Sequence, residues 1–343
     1  MSIVMTGGGT GGHLAIVRAV KEPLKADPKA PPLVYIGSTH GQDRQWFEYD
    51  EDFAARYFLK TQGVVNQRGV ARLRSLGMLF RAFLKARQLL KQHRARVVFS
   101  VGGFSAAPTA LAAKSLGIPL VIHEQNAALG SLNKLLKPLA DTFISSYEAQ
   151  SPIRAYPIKQ LFFEKARVRS RIETLLFLGG SQGAKAINDL ALDLAPQLHA
   201  RGIAIIHQAG ERHIETIRSA YASLGIEAEV FGFTDRLSDY MAQADLAVAR
   251  AGASTLWELS ANGLPALFVP YPYAAGDHQY HNARFLVEKQ LAWLERQDQL
   301  RPETVLALLG EDMRQRSRGL MAIVAPDGAR RIAALLRTTA GVV

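Results

Sequence analysis

Residues 2–13 read Ser2-Ile-Val-Met-Thr-Gly-Gly-Gly-Thr-Gly-Gly-His13, a short apolar run that leads into glycines. Residues 174–184 repeat the arrangement as Thr174-Leu-Leu-Phe-Leu-Gly-Gly-Ser-Gln-Gly-Ala184. In both stretches, glycine-rich backbone lies where a strand turns into a helix, so backbone N–H groups and the positive helix end face an anion. The sequence therefore predicts two phosphate-binding turns, one in each half of the chain. A purely structural turn is the alternative for the first.

Further short apolar runs follow, each ending in turn residues and a helix-like pattern. They lie at residues 33–36, 97–101, 120–122, 143–145, 203–207, 228–231, 246–249 and 266–269. This alternation is typical of βαβ units around a parallel sheet. We expect an α/β protein of two doubly wound, Rossmann-like domains, residues 1–156 and 157–326, that face an interdomain cleft at the carboxyl ends of the strands. Pro152, Pro157 and a run of charges between residues 151 and 171 mark the boundary.

The composition is that of a folded globular protein, with 343 residues of which 48% are hydrophobic and 21% charged. These values exclude wholesale disorder and fibrous classes. The chain has no cysteine, which excludes disulfide frameworks and thiolate chemistry and fits a reducing compartment. No apolar run approaches the roughly 20 residues of a spanning helix, and the run before the first glycines is too short for a signal-peptide core. We therefore expect a cytosolic or peripheral protein.

The net charge of +11 comes from one part of the chain: residues 53–123 contain twelve Lys and Arg and no Asp or Glu. Within this part, residues 66–96 combine a helix-like apolar pattern with flanking basic side chains. Some of the apolar residues belong to ordinary core packing. The combination of apolar and basic side chains is also typical of a surface that inserts into an anionic membrane. A nucleic-acid groove is the alternative, although the sequence lacks the repeated aromatics that stack bases. The candidate membrane residues are Arg72, Leu76, Leu79, Phe80, Arg81 and Phe83.

The first glycine run matches the dinucleotide pattern Gly7-x-Gly9-x-x-Gly12 only weakly. A nicotinamide-binding unit needs an acid at the end of the second strand, and the first acid here is Asp43, several residues later. No Gly-Lys-Ser/Thr follows either glycine run, which excludes a nucleotide-hydrolysing P-loop. His13 begins the next helix, whose positive end favours a neutral imidazole that can accept a proton. A substrate or catalytic role and a structural role are both open for His13.

Two further polar motifs follow predicted strands. His123-Glu-Gln-Asn126 comes directly after residues 120–122, so four polar side chains leave the carboxyl end of a strand. A hydrogen-bonding site for a sugar or peptide explains them, with a buried structural network as the alternative. Glu258 lies about one turn into the helix after residues 246–249, where a carboxylate can bind both hydroxyls of a ribose. An acid that merely complements the helix dipole is the alternative there.

Six segments in order resemble the motifs of the MurG family of peptidoglycan glycosyltransferases. They are residues 8–13, 101–104, 123–126, 179–184, 252–258 and 263–266. The resemblance implies the two-domain GT-B fold and transfer of N-acetylglucosamine from UDP-N-acetylglucosamine to the C4 hydroxyl of the muramoyl sugar of lipid I, with inversion, to form lipid II. It also implies a peripheral enzyme on the cytoplasmic face of the bacterial inner membrane. No nucleic-acid partner, metal or cofactor is expected, and a need for a divalent cation is left open.

The resemblance also implies site residues. His13, and after it Glu124, are candidates for the base that deprotonates the acceptor hydroxyl. Phe104, at a position where the family commonly has Tyr, and Asn188 are implied on the acceptor side. A C-terminal helix of about residues 327–343 is expected to pack back on the first domain. The implied donor contacts are Thr10, Gly11, Gly12, Asn126, Lys159, Ser181, Gln182, Thr234, Ala253, Ser254, Thr255, Leu256, Trp257, Glu258, His278 and Gln279.

Two other functions stay open on the residues alone. A transferase or epimerase that uses UDP-sugars with a soluble partner has no use for a membrane surface. A noncatalytic nucleic-acid-binding protein would use the basic region, and its binding to DNA or RNA would be tight and salt-dependent without any affinity for a nucleotide sugar.

Overall fold

The computed structural model describes residues 1–61, 69–180 and 182–342, without the side chains of residues 69–74. The chain divides into two compact units. Unit 1 comprises Met1–Lys159 and Asp327–Val343, and unit 2 comprises Gln160–Pro326. The sequence predicted divisions after residues 156 and 326, and the structure has them after Lys159 and Pro326.

Unit 1 is built on a parallel sheet. Its strands are β1 (Ser2–Thr6), β2 (Leu33–Ser38), β3 (Ala55–Leu59), β4 (Ala95–Ser100), β5 (Leu120–Glu124) and β6 (Thr142–Ser145). Their order across the sheet is β3-β2-β1-β4-β5-β6, and each neighbouring pair is parallel. Every residue of β1 and β2 is buried, which is why their sequences are almost continuously apolar.

Helices cover this sheet. They are α1 (Gly11–Ala26), α2 (Asp43–Phe47), α3 (Gly69–Gln92), α4 (Ala107–Ser115) and α5 (Ser131–Leu136), followed by a 3-10 helix at Lys137–Leu139. One core cluster joins strand residues such as Val4 and Val98 to Leu89 of α3 and Ala110 of α4. These buried contacts fix the strands whose carboxyl ends carry the polar motifs.

Unit 2 repeats the architecture. Its strands are β7 (Thr174–Leu178), β8 (Ala204–Gln208), β9 (Glu229–Phe231), β10 (Leu246–Ala249), β11 (Ala266–Phe268) and β12 (Trp293–Leu294). They form a parallel sheet in the order β12-β11-β10-β7-β8-β9. Its helices are α6 (Gln160–Glu164), α7 (Lys185–Ala200), α8 (Ile214–Ser223), α9 (Leu237–Gln243), α10 (Ala253–Asn262), α11 (His278–Glu288), α12 (Pro302–Leu306) and α13 (Arg314–Ile323), with a 3-10 helix at Ala275–Asp277.

The last helix, α14 (Gly328–Thr339), belongs to unit 1, where it packs against α1. An ion pair between Arg337 and Asp27 ties the two helices together. Gly328 begins α14 at a point so close to the preceding backbone that a Cβ there would lie 2.5 Å from the carbonyl oxygen of Tyr156. A side chain at this position would push the start of α14 away from unit 1.

The predicted α/β fold with two doubly wound parallel sheets is confirmed. The sequence indicated five strands in each half, and the structure adds the edge strands β3 and β12. All residues of β3 are partly exposed and β12 has two residues, so neither gives the short apolar run that identifies a buried strand. Among the described residues, none of the helices combines the length and the apolar character of a membrane-spanning segment.

Candidate active site

In unit 1, β1, β4 and β5 are adjacent and parallel, so their carboxyl ends lie side by side. The turns after β1 and β4 touch, since the backbone N–H of Gly8 donates to the carbonyl of Gly102 at 3.2 Å. Gly103, with a φ of +77°, approaches so closely that a Cβ there would lie 2.2 Å from the carbonyl oxygen of Gly8. Only glycine fits this contact, and it brings two of the motif segments to one edge of the sheet.

His13 lies in the first turn of α1 and is partly exposed. Its Nδ1 lies 2.9 Å from Oγ1 of Thr10. When Nδ1 carries the proton and donates it to Thr10, Nε2 has the lone pair that can accept a proton from a hydroxyl group. The pair therefore presents an oriented, accessible imidazole.

His123, near the end of β5, is fully buried, and its ring lies edge-on to Tyr156 with the centroids 5.6 Å apart. Burial, with a smaller contribution from the charge of His13, lowers the pKa of His123 to about 3. Neither ring nitrogen of His123 has a hydrogen-bond partner within the described residues. His123 is therefore neutral at physiological pH, and of these two imidazoles His13 is the one that a substrate can reach.

Glu124, the second candidate base, is 2% exposed and its carboxylate accepts hydrogen bonds on both oxygens. Oε1 accepts from the backbone N–H of Asn126 at 2.9 Å and from its Nδ2 at 3.3 Å. Oε2 accepts from the backbone N–H of Gly130 and from Nδ2 of Asn133, each at 3.0 Å. The carboxylate thus holds the turn after β5 in shape, and a proton on either oxygen would compete with a donor that already occupies it.

Asn126 and Phe104 flank the same edge of the unit 1 sheet. Asn126 is partly exposed at the turn that Glu124 orders. Phe104 lies over Gly9, where a Cβ would be 2.6 Å from its ring atom Cε1. The ring therefore covers the glycine turn before α1, and its lack of a hydroxyl leaves this position without a hydrogen-bonding group.

The predicted membrane residues lie on α3, and we call Leu76, Leu79, Phe80, Arg81 and Phe83 the α3 surface. Leu76 is 44% exposed and Phe80 61%, and the ring of Phe80 stacks on that of Phe83 with centroids 6.2 Å apart. Arg81 is exposed, whereas Leu79 and Phe83 are partly buried. The side chain of Arg72 lies outside the described residues.

Sequence reasoning missed further exposed apolar residues of unit 1. Leu84 of α3 is 50% exposed, one helical turn after Phe80. On α5 and the following 3-10 helix, Leu135 is 68% and Leu139 43% exposed, with Lys134 and Lys137 in the same segment. The core cluster of unit 1 contains residues of both α3 and α5, so both helices are anchored to one core.

In unit 2, the glycine turn after β7 packs against the turn after β8. Gly210 approaches so closely that a Cβ there would lie 2.3 Å from the backbone N of Gly183. Gln182 is exposed in this turn, and Ser181 lies outside the described residues. The geometry leaves Gln182 open to a ligand and requires glycine at the supporting position.

Asn188, which the resemblance implied on the acceptor side, is 4% exposed on α7 within unit 2. Its Nδ2 donates to the carbonyl of Ala209 at 3.1 Å, and its Oδ1 lies 3.0 Å from Nε2 of His207. Nδ1 of His207 lies 3.0 Å from the hydroxyl of Tyr221. Asn188 thereby holds the turn on which Gly183 rests.

The segment implied around uridine forms the start of α10. Ala253, Ser254, Leu256 and Trp257 are buried, with Trp257 stacked on Phe285 at 5.3 Å. Thr255 and Glu258 are partly exposed, and their spacing of three residues places them on one face of the helix. Of this segment, Glu258 and Thr255 have the side chains that can meet a ligand.

The start of α11 carries two implied contacts to the donor sugar. The backbone N–H of Tyr271 donates to Oε1 of Gln279 at 2.9 Å, which fixes this amide with its NH₂ group as the remaining donor. Burial lowers the pKa of His278, so its imidazole is neutral, and its buried Nδ1 has no partner within the described residues. Together they offer hydrogen-bond donors and acceptors of the kind that recognise sugar hydroxyls.

Arg250 supports this region, and sequence reasoning assigned it no role. Its guanidinium donates to the carbonyls of Val269 and Pro270, each at 3.1 Å, and to Oε1 of Gln297 at 2.6 Å. Burial lowers the pKa of Arg250 from its ordinary value. The side chain anchors the segment that leads to Tyr271 and so to Gln279.

Thr234 and Lys159 are the two remaining implied donor contacts. Oγ1 of Thr234 accepts a hydrogen bond from the backbone N–H of Arg236 at 3.0 Å, and Thr234 is partly exposed. Lys159 is partly exposed and is the last residue of unit 1 before α6. The geometry within each unit assigns neither of them a ligand.

Residues 3–145 match the model of the glycosyltransferase family 28 N-terminal domain, and residues 174–333 match that of the C-terminal domain. A protein of Sulfurovum sp. (strain NBC37-1) is 66% identical over 99% of this chain and 99% of its own length. The chain belongs to glycosyltransferase family 28. The predicted resemblance to MurG is confirmed, and as a member of family 28 the protein is a glycosyltransferase.

The Sulfurovum relative is named a UDP-N-acetylglucosamine--N-acetylmuramyl-(pentapeptide) pyrophosphoryl-undecaprenol N-acetylglucosamine transferase. A relative in Wolinella succinogenes has the same name, with 58% identity over 97% of this chain and 98% of that protein. Among solved structures, Acinetobacter baumannii MurG has a TM-score of 0.76 and 26% identity, and the match covers 98% of this chain and 99% of that one. The Streptomyces sp. SF2575 glycosyltransferase SsfS6, complexed with thymidine diphosphate, has a TM-score of 0.67 at 15% identity and shares the fold alone.

Proposed function

We propose that this family 28 enzyme transfers N-acetylglucosamine from UDP-N-acetylglucosamine to the C4 hydroxyl of the muramoyl sugar of lipid I, the undecaprenyl-pyrophosphoryl muramoyl-pentapeptide, and so forms lipid II for the cell wall. The carrying observation is 66% identity over 99% of the chain to a relative named for this transfer. In the reaction the acceptor oxygen bonds to C1 of the sugar, the bond from C1 to UDP breaks, and the hydroxyl proton passes to a base. Attack opposite the leaving diphosphate inverts C1.

Unit 2 binds the donor in this proposal. The partly exposed carboxylate of Glu258 accepts hydrogen bonds from both ribose hydroxyls. Its two oxygens and the two hydroxyl donors form a bidentate contact. Gln182 contacts the diphosphate from the glycine turn after β7, and the neutral His278 and the NH₂ group of Gln279 contact the sugar. Backbone N–H groups of this turn and the end of a helix stabilise the charge that develops on the departing diphosphate.

Unit 1 supplies the base, and the contacts favour His13 over Glu124. His13 is accessible and oriented by Thr10, whereas the Glu124 carboxylate already accepts four hydrogen bonds. A general base must lie within hydrogen-bond reach of the acceptor hydroxyl, and the partly exposed His13 is more accessible to a substrate than Glu124, which is 2% exposed. We therefore assign proton transfer to Nε2 of His13 and the ordering of the turn that carries Asn126 to Glu124.

The α3 surface holds the protein at the cytoplasmic face of the bacterial inner membrane in this proposal. Exposed Leu76 and Phe80 lie beside basic side chains, and exposed Leu135 lies on α5 beside Lys134. Apolar side chains insert below the lipid headgroups while lysine and arginine attract anionic lipids. Peripheral attachment of this kind gives unit 1 access to the undecaprenyl-linked acceptor.

Calorimetry with UDP-N-acetylglucosamine, followed by an assay for UDP release with and without a soluble lipid I analogue, tests the function. We expect binding of the donor and UDP release that depends on the analogue. Binding without release at any analogue concentration would reject the acceptor. If the protein bound no UDP-sugar but bound DNA tightly at low salt, the nucleic-acid alternative would replace the proposal.

A further inference from the structure

Asp43 is a fully buried carboxylate at the start of α2, next to the glycine turn that precedes α1. Its Oδ2 accepts a hydrogen bond from the backbone N–H of Gly9 at 2.7 Å. Its Oδ1 accepts from the backbone N–H of Ser38 at 2.9 Å and lies 3.1 Å from the hydroxyl of Tyr35. The residue joins β2 and α2 to a turn 34 positions earlier in the chain.

The glycine turn is shaped around this carboxylate. A Cβ on Gly8 would lie 2.6 Å from Oδ1 of Asp43, so the backbone reaches the carboxylate only because position 8 has no side chain. Gly9 has a φ of +84°, in the left-handed region that favours glycine, and it directs its N–H at Oδ2. The shape of the turn and the position of the carboxylate therefore depend on each other.

Tyr35 makes a second connection to the same turn. Its buried hydroxyl lies 2.9 Å from the carbonyl oxygen of Gly7 as well as 3.1 Å from Oδ1 of Asp43. Burial raises the pKa of Asp43, while the hydrogen bonds from Ser38, Gly9 and Tyr35 act in the opposite direction. Burying a carboxylate is unfavourable unless hydrogen-bond donors surround it. The donors from Gly9, Ser38 and Tyr35 therefore explain why Asp43 can be buried here.

These contacts change the interpretation of the first glycine run. The sequence predicts that its N–H groups face an anion, but the N–H of Gly9 donates to Asp43 and that of Gly8 donates to Gly102. Both groups point into unit 1. These hydrogen bonds hold the turn at Gly8 and Gly9 in place, and Thr10 and His13 follow it in the chain.

We propose that Asp43 is a positioning residue for the transfer reaction, which acts by fixing Gly9 and thereby the placement of Thr10 and His13 at the start of α1. The inference rests on the proposed function, in which His13 is the base. The backbone path is short: Gly9 is bonded to Thr10, and the carbonyl of Thr10 accepts the first hydrogen bond of α1, from Leu14 at 3.3 Å. A displacement of Gly9 therefore moves the imidazole.

Asp43→Asn tests the proposal with little change in side-chain size. The amide can replace one oxygen, but its NH₂ group then faces the N–H of Gly9 or Ser38, donor against donor. We expect kcat to fall about 100-fold, the effect of a misplacement near 1 Å, while the Kd for UDP stays within about twofold because unit 2 is unchanged. Tyr35→Phe, which keeps Asp43, should lower kcat by a smaller factor.

Asp50→Asn is the matched control. Asp50 is a largely buried carboxylate of unit 1, with 12% of its side chain exposed, and it pairs with Lys21 at 2.7 Å. Among the described residues the hydrogen bonds and ion pair of its side chain join it to Lys21 and Asp52 and not to the glycine turn, so its loss should lower the thermal midpoint but leave kcat per folded molecule unchanged. Equal kcat for the Asp43 and Asp50 variants would overturn the positioning role.

A double variant separates positioning from other effects. If Asp43 acts through His13, His13→Ala with Asp43→Asn is no slower than His13→Ala alone. A further loss equal to that of Asp43→Asn in the wild type would overturn the proposal. An undiminished kcat for His13→Ala would instead reject His13 as the base. The placement of His13 is then tested by the ¹⁵N NMR signals of its imidazole ring. We expect Asp43→Asn to shift these signals and Asp50→Asn to leave them unchanged.

Discussion

Oγ1 of Thr10 lies 2.9 Å from Nδ1 of His13. Thr10 is the residue that caps α1, and a threonine there commonly accepts a hydrogen bond from a backbone N–H of the first turn. Within the described residues its side chain makes no such bond and contacts the imidazole instead. The helix start is therefore arranged around the orientation of His13 at the expense of an ordinary cap.

His13→Ala should lower kcat by about 100-fold or more, because general base catalysis typically contributes that much. Thr10→Val should lower it by a smaller factor, because the imidazole remains but loses the partner that sets its tautomer. Single-turnover rates with saturating donor measure both effects, and calorimetry should find the UDP affinity nearly unchanged. A Thr10→Val enzyme with wild-type kcat would show that the 2.9 Å contact has no role in turnover.

Glu124→Gln should impair the enzyme through loss of the ordered turn. Asn133→Ala removes one of the donors to the Glu124 carboxylate and takes away no group that transfers protons. We therefore expect Asn133→Ala to raise the KM for the acceptor in the same direction as Glu124→Gln, by about tenfold for a lost charged hydrogen bond. If Asn133→Ala were silent while Glu124→Gln abolished kcat, Glu124 would become the better candidate for the base.

The fold could be predicted because apolar runs and glycine turns are local features. For example, the apolar run Thr174–Leu178 predicts a strand, and Gly179 directly after it predicts a turn. The roles of Glu124 and Asp43 could not be predicted in this way. Which oxygen accepts which N–H depends on chain segments that fold together, as when Asp43 receives the N–H of Gly9.

In the donor site, too, the sequence predicted some features and only the structure revealed others. Glu258 was predicted from its place one turn into a helix, and the structure has it partly exposed in α10. Asn188 lies four positions after the segment 179–184, and nothing in that spacing indicates that His207 and Ala209 engage its amide. Motif spacing identifies which residues matter and leaves open which of them face a ligand.

Glu258→Gln should weaken UDP binding by about 10- to 100-fold, the loss expected when a charged acceptor of two ribose hydroxyls becomes a neutral amide. Calorimetry with UDP measures the change. Glu288→Gln is the control, since Glu288 is an exposed carboxylate of unit 2 that pairs with Arg284 at 2.7 Å. Equal UDP affinity in the two variants would remove Glu258 from the ribose site.

Acid should destabilise unit 2 through His207. Burial lowers the pKa of His207 to about 4 from its ordinary value of 6.5, so between these two pH values the unfolded chain binds more protons than the folded one. The stabilisation is complete above pH 6.5 and is lost as the pH falls toward 4. Urea unfolding should show a loss of about 2 kcal/mol from this residue between pH 7 and pH 5.

His207→Gln should flatten this pH dependence, because glutamine does not titrate. His199→Gln is the control, since His199 is exposed on the same helix as Asn188 and should leave the slope unchanged. An equally steep loss of unfolding free energy in His207→Gln would assign the acid sensitivity to other groups.

Phe80→Asp with Leu84→Asp should release the protein from membranes. Phe80 is 61% and Leu84 50% exposed, one turn apart on α3, so their side chains can insert together beside Arg81 and Lys85. Each inserted side chain contributes about 1.5–3 kcal/mol, and the two carboxylates add repulsion from anionic lipid. Sedimentation with vesicles that contain phosphatidylglycerol should recover the wild type, more at low than at high salt, and leave the variant in the supernatant.

Leu224→Asp is the matched control, because Leu224 is 47% exposed but lies in unit 2. It should sediment as the wild type does. The α3 variant should also keep its kcat on a soluble acceptor analogue, because the substitutions leave His13 and Glu258 in place. It should lose activity on an acceptor embedded in vesicles, because the substitutions affect access to the lipid. Retention of the α3 variant on vesicles would mean that another surface of the chain holds the membrane.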